Sequence, residues 1–429
     1  MERIGKYEIR NKLGEGATST VYLAHDPFAG RDVAIKVIFP EVLKDREKGK
    51  LYRHLLLNEA SLAGKLMHPH IVQIFDAVID GGQSYIVMEY APGGTLEQFC
   101  SPQNLLPFNR MVEMIFKCTR ALEYANRLGI THRDIKPANI LLAQAGNTGD
   151  IKISDFGAAI MTGGDQMTTQ VSGVGSPAYM SPQQVRDLPL NHQTDIYSLG
   201  VVMYQLLTGR LPFSATNNYS MIYQITSLDP PPPSTFRTDI PPHLDAIVAR
   251  AMQKDLDARY ATWEEFSHDL AQSFRNKQLS AQAQEVPDSQ KFETLRSLPF
   301  FADFSDVQIW EVVRFSTWDD AAAGTVVMKD GEPGEFFCFL IEGELCVTKR
   351  GHTLNMLAPG DCFGEMAIIN RNSRVRGADV VAQTQSYLVT IRADALRHAS
   401  EACRMHFYQS FLEVISTRLH QANARLAAI

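Results

Sequence analysis

No apolar run in this sequence approaches the ~20 residues that a membrane-spanning helix needs, and residues 1–7 contain no apolar signal core. Cysteine is sparse: the six residues are scattered and form no Cys-x-x-Cys pair, which disfavours structural zinc and favours a reducing compartment. Neither charge dominates, since the formal net charge is −7, so nucleic acid and anionic membranes are not expected partners. We therefore expect a soluble, cytoplasmic protein.

The 429 residues suffice for about two to four structural units, and a hydrophobic content of 45% is ordinary for globular domains. Residues 33–38 and 85–90 are predicted strands, and residues 45–66 between them have helical spacing. Long helices are predicted over residues 109–128 and 194–208. We expect a small strand-rich lobe followed by a larger helical lobe.

The second half of the chain differs in composition. Residues 271–290 are polar and rich in Gln and Ser, which is typical of a linker with helical ends. Residues 325–391 consist of short β-type runs separated by glycine turns, a spacing that predicts a small barrel or sandwich. Residues 393–428 return to a helical pattern.

The segment from Thr131 to Asn139 carries an acid, a base and an amide at the spacings that phosphoryl transfer requires. Asp134 can orient a hydroxyl nucleophile and accept its proton, and Lys136 can lie near the transferring phosphate. Asn139 can hold magnesium, as can Asp155 in the downstream Asp-Phe-Gly. The two motifs together are a strong signal, although neither alone would be.

Two upstream features are weaker by themselves. Residues 13–21 form a glycine-rich turn that can bring backbone N–H groups close to phosphates, although such turns are also common in hairpins. Lys36 lies inside an apolar strand, so its ammonium needs a partner, either Glu59 or a phosphate. A lysine that snorkels at a strand edge is the structural alternative.

The order of glycine-rich turn, Val-Ala-Ile-Lys, His-Arg-Asp-x-x-x-x-Asn and Asp-Phe-Gly resembles the protein kinase family. The resemblance covers about residues 7–272 and is greatest to bacterial Ser/Thr kinases of the eukaryotic-like type. It implies a two-lobed α+β domain over residues 1–272, with lobes at 1–90 and 91–272, and a linker over residues 273–291.

The resemblance also implies roles for individual residues. Lys36 would hold the α- and β-phosphates of ATP and pair with Glu59, while Asn139 and Asp155 would carry Mg²⁺. Lys136 resembles the Ser/Thr-specific class, and Asp195 would brace the catalytic loop. In the ATP site Met88 would be the gatekeeper, Glu89 and Ala91 would bond adenine through their backbone, and Ala34 and Leu141 would sandwich the ring. The glycine-rich turn would add Leu13, Gly14, Glu15, Gly16 and Val21.

A mobile activation loop is expected from Met161 to Gly175, because the segment is rich in Gly, Thr and Ser. Thr168, Thr169 and Ser172 are candidate phosphorylation sites whose phosphate could dock on Arg133. Solvated loop hydroxyls are the structural alternative. Ser176 would contact the catalytic loop and substrate.

The chain departs from the kinase pattern at Gln183, where the family usually has a Glu that pairs with a distant arginine, here Arg259. Gln183 can still hydrogen-bond to Arg259, but the ion pair is lost. We therefore expect a less rigid activation segment in an active enzyme, and a higher melting temperature when Glu is restored. A milder departure is Ser19 in place of the third loop glycine.

Residues 292–391 resemble cyclic-nucleotide-binding domains, and the motif over residues 359–367 carries the resemblance. It implies a jelly-roll β-barrel with flanking helices over residues 292–429. Gly364 would belong to the phosphate cassette, Glu365 would bind the ribose 2′-hydroxyl, and Arg376 would bind the phosphate of cAMP or cGMP. Arg374 is the rival for Arg376.

Two departures affect this second site. Choosing Arg376 requires a two-residue insertion, and Asp379 then replaces a usual Thr or Ser near the phosphate. The alternative is a domain that binds no nucleotide and serves docking or dimerisation. The tail helices around Phe407 and Phe411 could form a lid, contact a second copy in a homodimer, or simply pack on the barrel.

The function expected from these features is transfer of the ATP γ-phosphate to Ser/Thr hydroxyls of a protein substrate, including autophosphorylation. The C-terminal domain would regulate it through a ligand. A pseudokinase scaffold that signals by binding is the alternative. The presence of Lys36, Glu59, Asp134, Asn139 and Asp155 argues against the scaffold.

Overall fold

The structure is a computed structural model that describes residues 3–45, 49–62, 64–79, 83–144, 150–158, 160–161, 177–275, 286–369 and 375–427. The chain divides into two compact units, residues 1–283 and 284–429. This division falls inside the linker predicted over residues 273–291, while the limits of the predicted domains stay a prediction.

The first unit begins with a six-stranded antiparallel sheet in the order β1-β2-β3-β4-β6-β5. Its strands are β1 (Arg3–Ile4), β2 (Tyr7–Glu15), β3 (Ser19–Asp26), β4 (Arg31–Ile38), β5 (Ile74–Val78) and β6 (Tyr85–Glu89). Successive side chains of a strand point to opposite faces. In β4 this alternation puts Val33 and Ile35 into one apolar cluster and Ala34 into another. Lys36 therefore shares the face of Ala34.

The helical segment between these strands is shorter than predicted. Two helices, α1 (Pro40–Lys44) and α2 (Gly49–Ser61), occupy this region, so the expectation of helix through residue 66 is wrong. The chain turns after Ser61, because Gly64 has a φ of +73°, a left-handed conformation that favours glycine. Leu62 and Leu66, which gave the helical spacing, are buried by the turn instead.

The helical lobe is built around α5, which is buried along nearly its whole length, as its apolar sequence requires. Its described helices are α3 (Phe108–Arg127), α4 (Pro182–Val185), α5 (Gln193–Thr208), α6 (Asn218–Ser227), α7 (Pro242–Ala251) and α8 (Trp263–Arg275). Short strands β7 (Ile130–Thr131), β8 (Ile140–Leu142), β9 (Ile151–Ile153) and β10 (Ile160–Met161) form two pairs, β7 with β10 and β8 with β9. These pairs flank the segments that carry the predicted catalytic residues.

The second unit contains two four-stranded antiparallel sheets, ordered β11-β18-β13-β16 and β12-β17-β14-β15. The strands are β11 (Ser316–Ala321), β12 (Val326–Met328), β13 (Phe336–Glu342), β14 (Leu345–Lys349), β15 (His352–Leu357), β16 (Cys362–Phe363), β17 (Asp379–Ala382) and β18 (Ser386–Arg392). One core takes side chains from both sheets, among them Cys338, Leu345 and Val380. The predicted barrel or sandwich is therefore borne out.

The described residues of the second unit also include the helices α9 (Asp288–Ser297), α10 (Asp306–Phe315), α11 (Met366–Ile369), α12 (Ala393–His398) and α13 (Glu401–Ala427). Phe411 of α13 packs edge-on against Phe300 and Phe337, Phe407 packs edge-on against Phe337, and both are almost fully buried. The first half of α13 thus packs on the sheets. Within the described ranges, no helix is both long enough and apolar enough to span a bilayer.

Candidate functional site

Lys36 lies between two carboxylates. Its Nζ donates to Glu59 of α2 at 3.2 Å and to Asp155, which directly precedes the 3-10 turn Phe156–Ala158. Glu59 is buried, whereas 39% of the Asp155 side chain is exposed. Strand β4, helix α2 and the Asp-Phe-Gly segment therefore meet at one ammonium group, as the motifs indicated.

The three groups perturb one another's ionisation. Burial acts to lower the pKa of Lys36, but Asp155 and Glu59 outweigh it, so this pKa lies above its ordinary value. Lys36 in turn holds the pKa of Asp155 below its usual range, and burial raises that of Glu59. Lys36 stays cationic and Asp155 anionic near neutral pH, which are the charge states for binding phosphate and metal respectively.

The catalytic-loop residues also come together. Lys136 Nζ donates to Asp134 Oδ2 at 2.7 Å, and Asn139 Nδ2 donates to the Asp134 carbonyl and Oδ2 at 2.8 and 3.0 Å. The Asp134 side chain is 42% exposed, so a substrate hydroxyl can approach it. The amide nitrogen of Asn139 is committed to Asp134, which leaves the side-chain oxygen Oδ1 as its remaining acceptor.

Asp195 at the start of α5 holds this loop in place. Its two carboxylate oxygens accept hydrogen bonds from the backbone N–H groups of His132 and Arg133, each at 2.7 Å. Arg133 has a φ of +70°, which is uncommon for a residue with a side chain. Gln184, which the sequence did not single out, donates to the Arg133 carbonyl at 2.8 Å and so ties α4 to the same loop.

An apolar cluster lies beside the ion pairs. Ala34, Met88, Val21 and Leu141, four of the residues expected around adenine, belong to it. Val72 and Tyr90 are also members, and the sequence did not indicate them because neither stands in a motif. The cluster brings residues from β3, β4, β6 and β8 together, which no local periodicity reveals.

The glycine-rich turn is a hairpin between β2 and β3. Gly14 and Glu15 pair with Val21 and Thr20, and the Gly16 N–H donates to the Ser19 carbonyl at 2.9 Å. Leu13 is 42% exposed at the end of β2. At the end of β6, the Glu89 carboxylate forms an ion pair with Lys152 at 2.9 Å. Ala91 follows two residues after this strand end. Thr168, Thr169, Ser172 and Ser176 lie outside the described residues.

Gln183 and Arg259 meet as the sequence allows. Arg259 Nη2 donates to Gln183 Oε1 at 3.2 Å, and the Gln183 amide donates to the Lys254 carbonyl at 3.2 Å. Arg259 is fully buried, yet it also donates to the carbonyls of Gln193 and Gln253 at 2.7–2.9 Å. Burial lowers its pKa to about 10. Backbone carbonyls thus accept the hydrogen bonds of the Arg259 guanidinium that an acidic partner usually accepts.

We expect Gln183→Glu to raise the melting temperature only modestly, by about 2–4 °C for about 1 kcal/mol. The new ion pair with Arg259 is partly offset, because a carboxylate cannot donate to the Lys254 carbonyl. Gln183→Ala is the matched control and should lower the melting temperature, because it leaves that carbonyl and one Arg259 donor without partners. Differential scanning calorimetry on both variants checks this, and an unchanged temperature for Gln183→Glu would contradict it.

In the second unit the predicted ligand residues Arg376 and Glu365 are both buried. Arg376 is 4% exposed and donates to the carbonyls of Gly364 and Phe336 at 2.9 and 2.6 Å. Glu365, at the start of the cassette turn, is 1% exposed. Asp379 accepts a hydrogen bond from the Asp330 N–H at 2.8 Å, which gives its carboxylate a loop-holding role. Arg374 lies outside the described residues.

One residue at this second site was not foreseen. Arg418 of α13 donates to Glu365 Oε1 at 2.7 Å and to the Cys362 carbonyl. Its sequence position, 53 residues after Glu365, belongs to no motif, and only the tertiary path of α13 brings it here. The tail therefore reaches the candidate ligand residues directly.

Comparison with known proteins agrees with this geometry. The protein kinase domain model matches residues 7–271, and the cyclic nucleotide-binding domain model matches residues 319–402. A probable serine/threonine-protein kinase of Streptomyces coelicolor is 37% identical over 310 residues, which are 68% of this chain and 45% of that protein. Serine/threonine-protein kinase PknB of Mycolicibacterium smegmatis is 36% identical over 271 residues, 62% of this chain and 42% of that protein.

This chain thus spans less than half the length of the curated relatives it matches. The kinase match nevertheless covers more than half of this chain, and it includes every described residue of the Lys36 and Asp134 clusters. The predicted fold class, a two-lobed kinase domain followed by a jelly-roll domain, is confirmed. The chain belongs to the protein kinase family and carries a domain of the cyclic nucleotide-binding family after its kinase domain.

Proposed function

We propose that this protein transfers the γ-phosphate of ATP to Ser and Thr hydroxyls of proteins, itself included, and that its C-terminal domain senses a cyclic nucleotide. The observation that carries the kinase proposal is the half-exposed Asp134 carboxylate, held between Lys136 Nζ and Asn139 Nδ2 at 2.7 and 3.0 Å. A pseudokinase scaffold that only binds partners does not require the Asp134 carboxylate to be oriented beside the Lys136 ammonium.

Each group has a task in this reaction. Asp134 would position the substrate hydroxyl and accept its proton, and Lys136 would offset charge on the transferring phosphoryl group. Lys36 would bind the α- and β-phosphates, oriented by Glu59. The Asp195 hydrogen bonds to the loop backbone would keep Asp134 in place without touching substrate.

The residues present fit ATP and a divalent cation. Asp155 is accessible, anionic and beside Lys36, and Asn139 has its carbonyl oxygen to offer, so Asp155 and Asn139 would hold Mg²⁺. The cluster of Val21, Ala34 and Leu141 offers an apolar wall for adenine. When bound, the nucleotide and its metal supply the reacting phosphoryl group and neutralise its developing charge.

A cyclic nucleotide, cAMP or cGMP, is the ligand proposed for the second unit. Gly364 has a φ of +83°, a left-handed conformation that favours glycine, and a Cβ there would crowd the side-chain ends of Met328 and Arg376. Arg376 and Glu365 supply the cation and the acceptor that a phosphate and a ribose hydroxyl require. Both are buried, so binding requires their present contacts to rearrange.

Radiolabelled ATP with the purified full-length protein tests the proposal. We expect label on Ser or Thr, at Thr168, Thr169 or Ser172 among other positions, and mapping by mass spectrometry identifies them. Saturating cAMP or cGMP should change the rate, because a ligand that binds two kinase states unequally must shift their populations. Equal rates with and without either ligand would refute the regulatory part.

Two further expectations remain proposals. A reducing, cytoplasmic setting is supported by the six cysteines, all of which are free. A homodimer stays a prediction, and light scattering on the full chain measures it.

A further inference from the structure

Arg418 makes the polar contact between the distal half of α13 and the cassette segment that holds Glu365. Its guanidinium donates to Glu365 Oε1 at 2.7 Å and to the backbone carbonyl of Cys362. Among the described residues after Phe411, it makes the only hydrogen bonds to the rest of the unit. No residue of α13 beyond Phe411 whose burial is described is fully buried, and Leu412 and Leu419 are strongly exposed.

The contact occupies an acceptor that a ligand would need. Glu365 is 1% exposed, and the carboxylate oxygen Oε1 is engaged by a charge-assisted hydrogen bond with Arg418. The cation partner for a ligand phosphate, Arg376, is likewise committed to two backbone carbonyls. A hydroxyl group that approaches Oε1 of Glu365 must therefore displace the Arg418 guanidinium.

We propose that Arg418 is a built-in competitor for the sugar hydroxyl of the ligand, and that ligand binding releases the distal half of α13. The inference rests on the proposed cyclic-nucleotide site. It adds the residue that sets the ligand concentration at which this site fills. The ligand class is a ribonucleotide with a free 2′-hydroxyl, because only that group competes for the same carboxylate. The released segment, from about Leu412 onwards, is then the part of the domain whose position depends on ligand.

The two halves of α13 are held in different ways. Phe407 and Phe411 anchor the first half of α13 in an aromatic cluster. Arg418 lies about two helical turns further along. The second half can therefore detach while the first half stays packed, because its polar attachment is the two hydrogen bonds of Arg418 and its apolar residues Val414 and Ile415 are only half-buried.

The test uses the full chain with Arg418→Ala, and Arg404→Ala as the matched control. Arg404 is on the same helix, but its guanidinium donates to the Arg397 carbonyl and does not touch Glu365. Isothermal titration calorimetry with cAMP, cGMP and their 2′-deoxy analogues measures affinity. Hydrogen exchange without ligand measures how often residues 412–420 open. Arg418→Lys serves as a milder variant that keeps the charge but loses the planar fork.

We expect Arg418→Ala to bind the ribonucleotide about tenfold more tightly or better, since the competing contact no longer has to be broken. The preference for the ribonucleotide over its 2′-deoxy analogue should widen, because the freed Glu365 carboxylate can serve only the 2′-hydroxyl. A general loosening of the domain would shift both affinities together. Exchange over residues 412–420 should become faster in Arg418→Ala and stay unchanged in Arg404→Ala.

Two different results would overturn the inference, and they are distinguishable. Binding by wild type and Arg418→Ala with equal affinity, or an equal shift for both analogues, would remove the competitor role alone. No heat with any nucleotide in any variant would remove the proposed nucleotide site and with it this inference. Unchanged exchange in Arg418→Ala would show that the contact does not hold the helix.

Discussion

Replacement of Asp134 by Asn is expected to lower the rate of phosphoryl transfer by about 10²–10⁴-fold, the usual contribution of a positioned general base. The amide oxygen can still accept a hydrogen bond from Asn139, so the loop keeps its shape. It cannot accept the proton of the substrate hydroxyl, and it no longer offers Lys136 an anion. The loss should appear in kcat, with the KM for ATP little changed, because Asp134 does not bind the nucleotide.

Asp257→Asn is the matched control for that experiment. Asp257 is an exposed carboxylate in the same lobe, near the start of α8 and outside the proposed site. Initial rates with radiolabelled ATP should match wild type for Asp257→Asn and fall only for Asp134→Asn. If Asp134→Asn labels itself at the wild-type rate, this carboxylate is not the base and the proposed chemistry fails.

The second large effect is expected for Lys36→Met. The change removes the cation that faces the phosphates, so transfer should fall at least 10²-fold as preorganised charge is lost. It also leaves Glu59, with a side chain only 6% exposed, without its cation. Stability should therefore fall as well, by up to about 3–5 kcal/mol, the cost of breaking one side of a buried pair.

A double variant separates these two consequences. In Lys36→Met with Glu59→Gln the buried group is neutral, so most of the lost thermal stability should return, while activity should stay absent. Melting curves and initial rates over a range of ATP concentrations measure both. Activity that recovers together with stability would mean that Lys36 acts only by supporting the fold.

The parts of the molecule that the sequence predicted are those whose signal is local. Lys36 could be placed because the side chains of β4 alternate between two faces with separate apolar clusters, and Asp134 and Asn139 because their spacing lies within one loop. The end of α2 was missed, since a leucine spacing that continues past Ser61 does not reveal the left-handed turn at Gly64.

Other features depend on contacts between distant segments. Arg259 also donates to backbone carbonyls, which carry no sequence signal, so the sequence alone revealed Gln183 as a partner but not Gln193 and Gln253. Val72 and Tyr90 join the apolar cluster through contacts with residues of several strands. Arg418 reaches Glu365 because a long helix passes the cassette, and helical periodicity alone does not give that path.

We propose that Asp134 and Asp155 serve one reaction, the transfer of a phosphoryl group from ATP to a hydroxyl. The most direct measurement follows ADP and phosphoprotein together during a single incubation of the full chain with Mg²⁺ and ATP. We expect one phosphoserine or phosphothreonine for each ADP formed, and a parallel loss of both products in Asp134→Asn and Asp155→Asn. ADP that accumulates without phosphoprotein, or ATP that is never consumed, would contradict it.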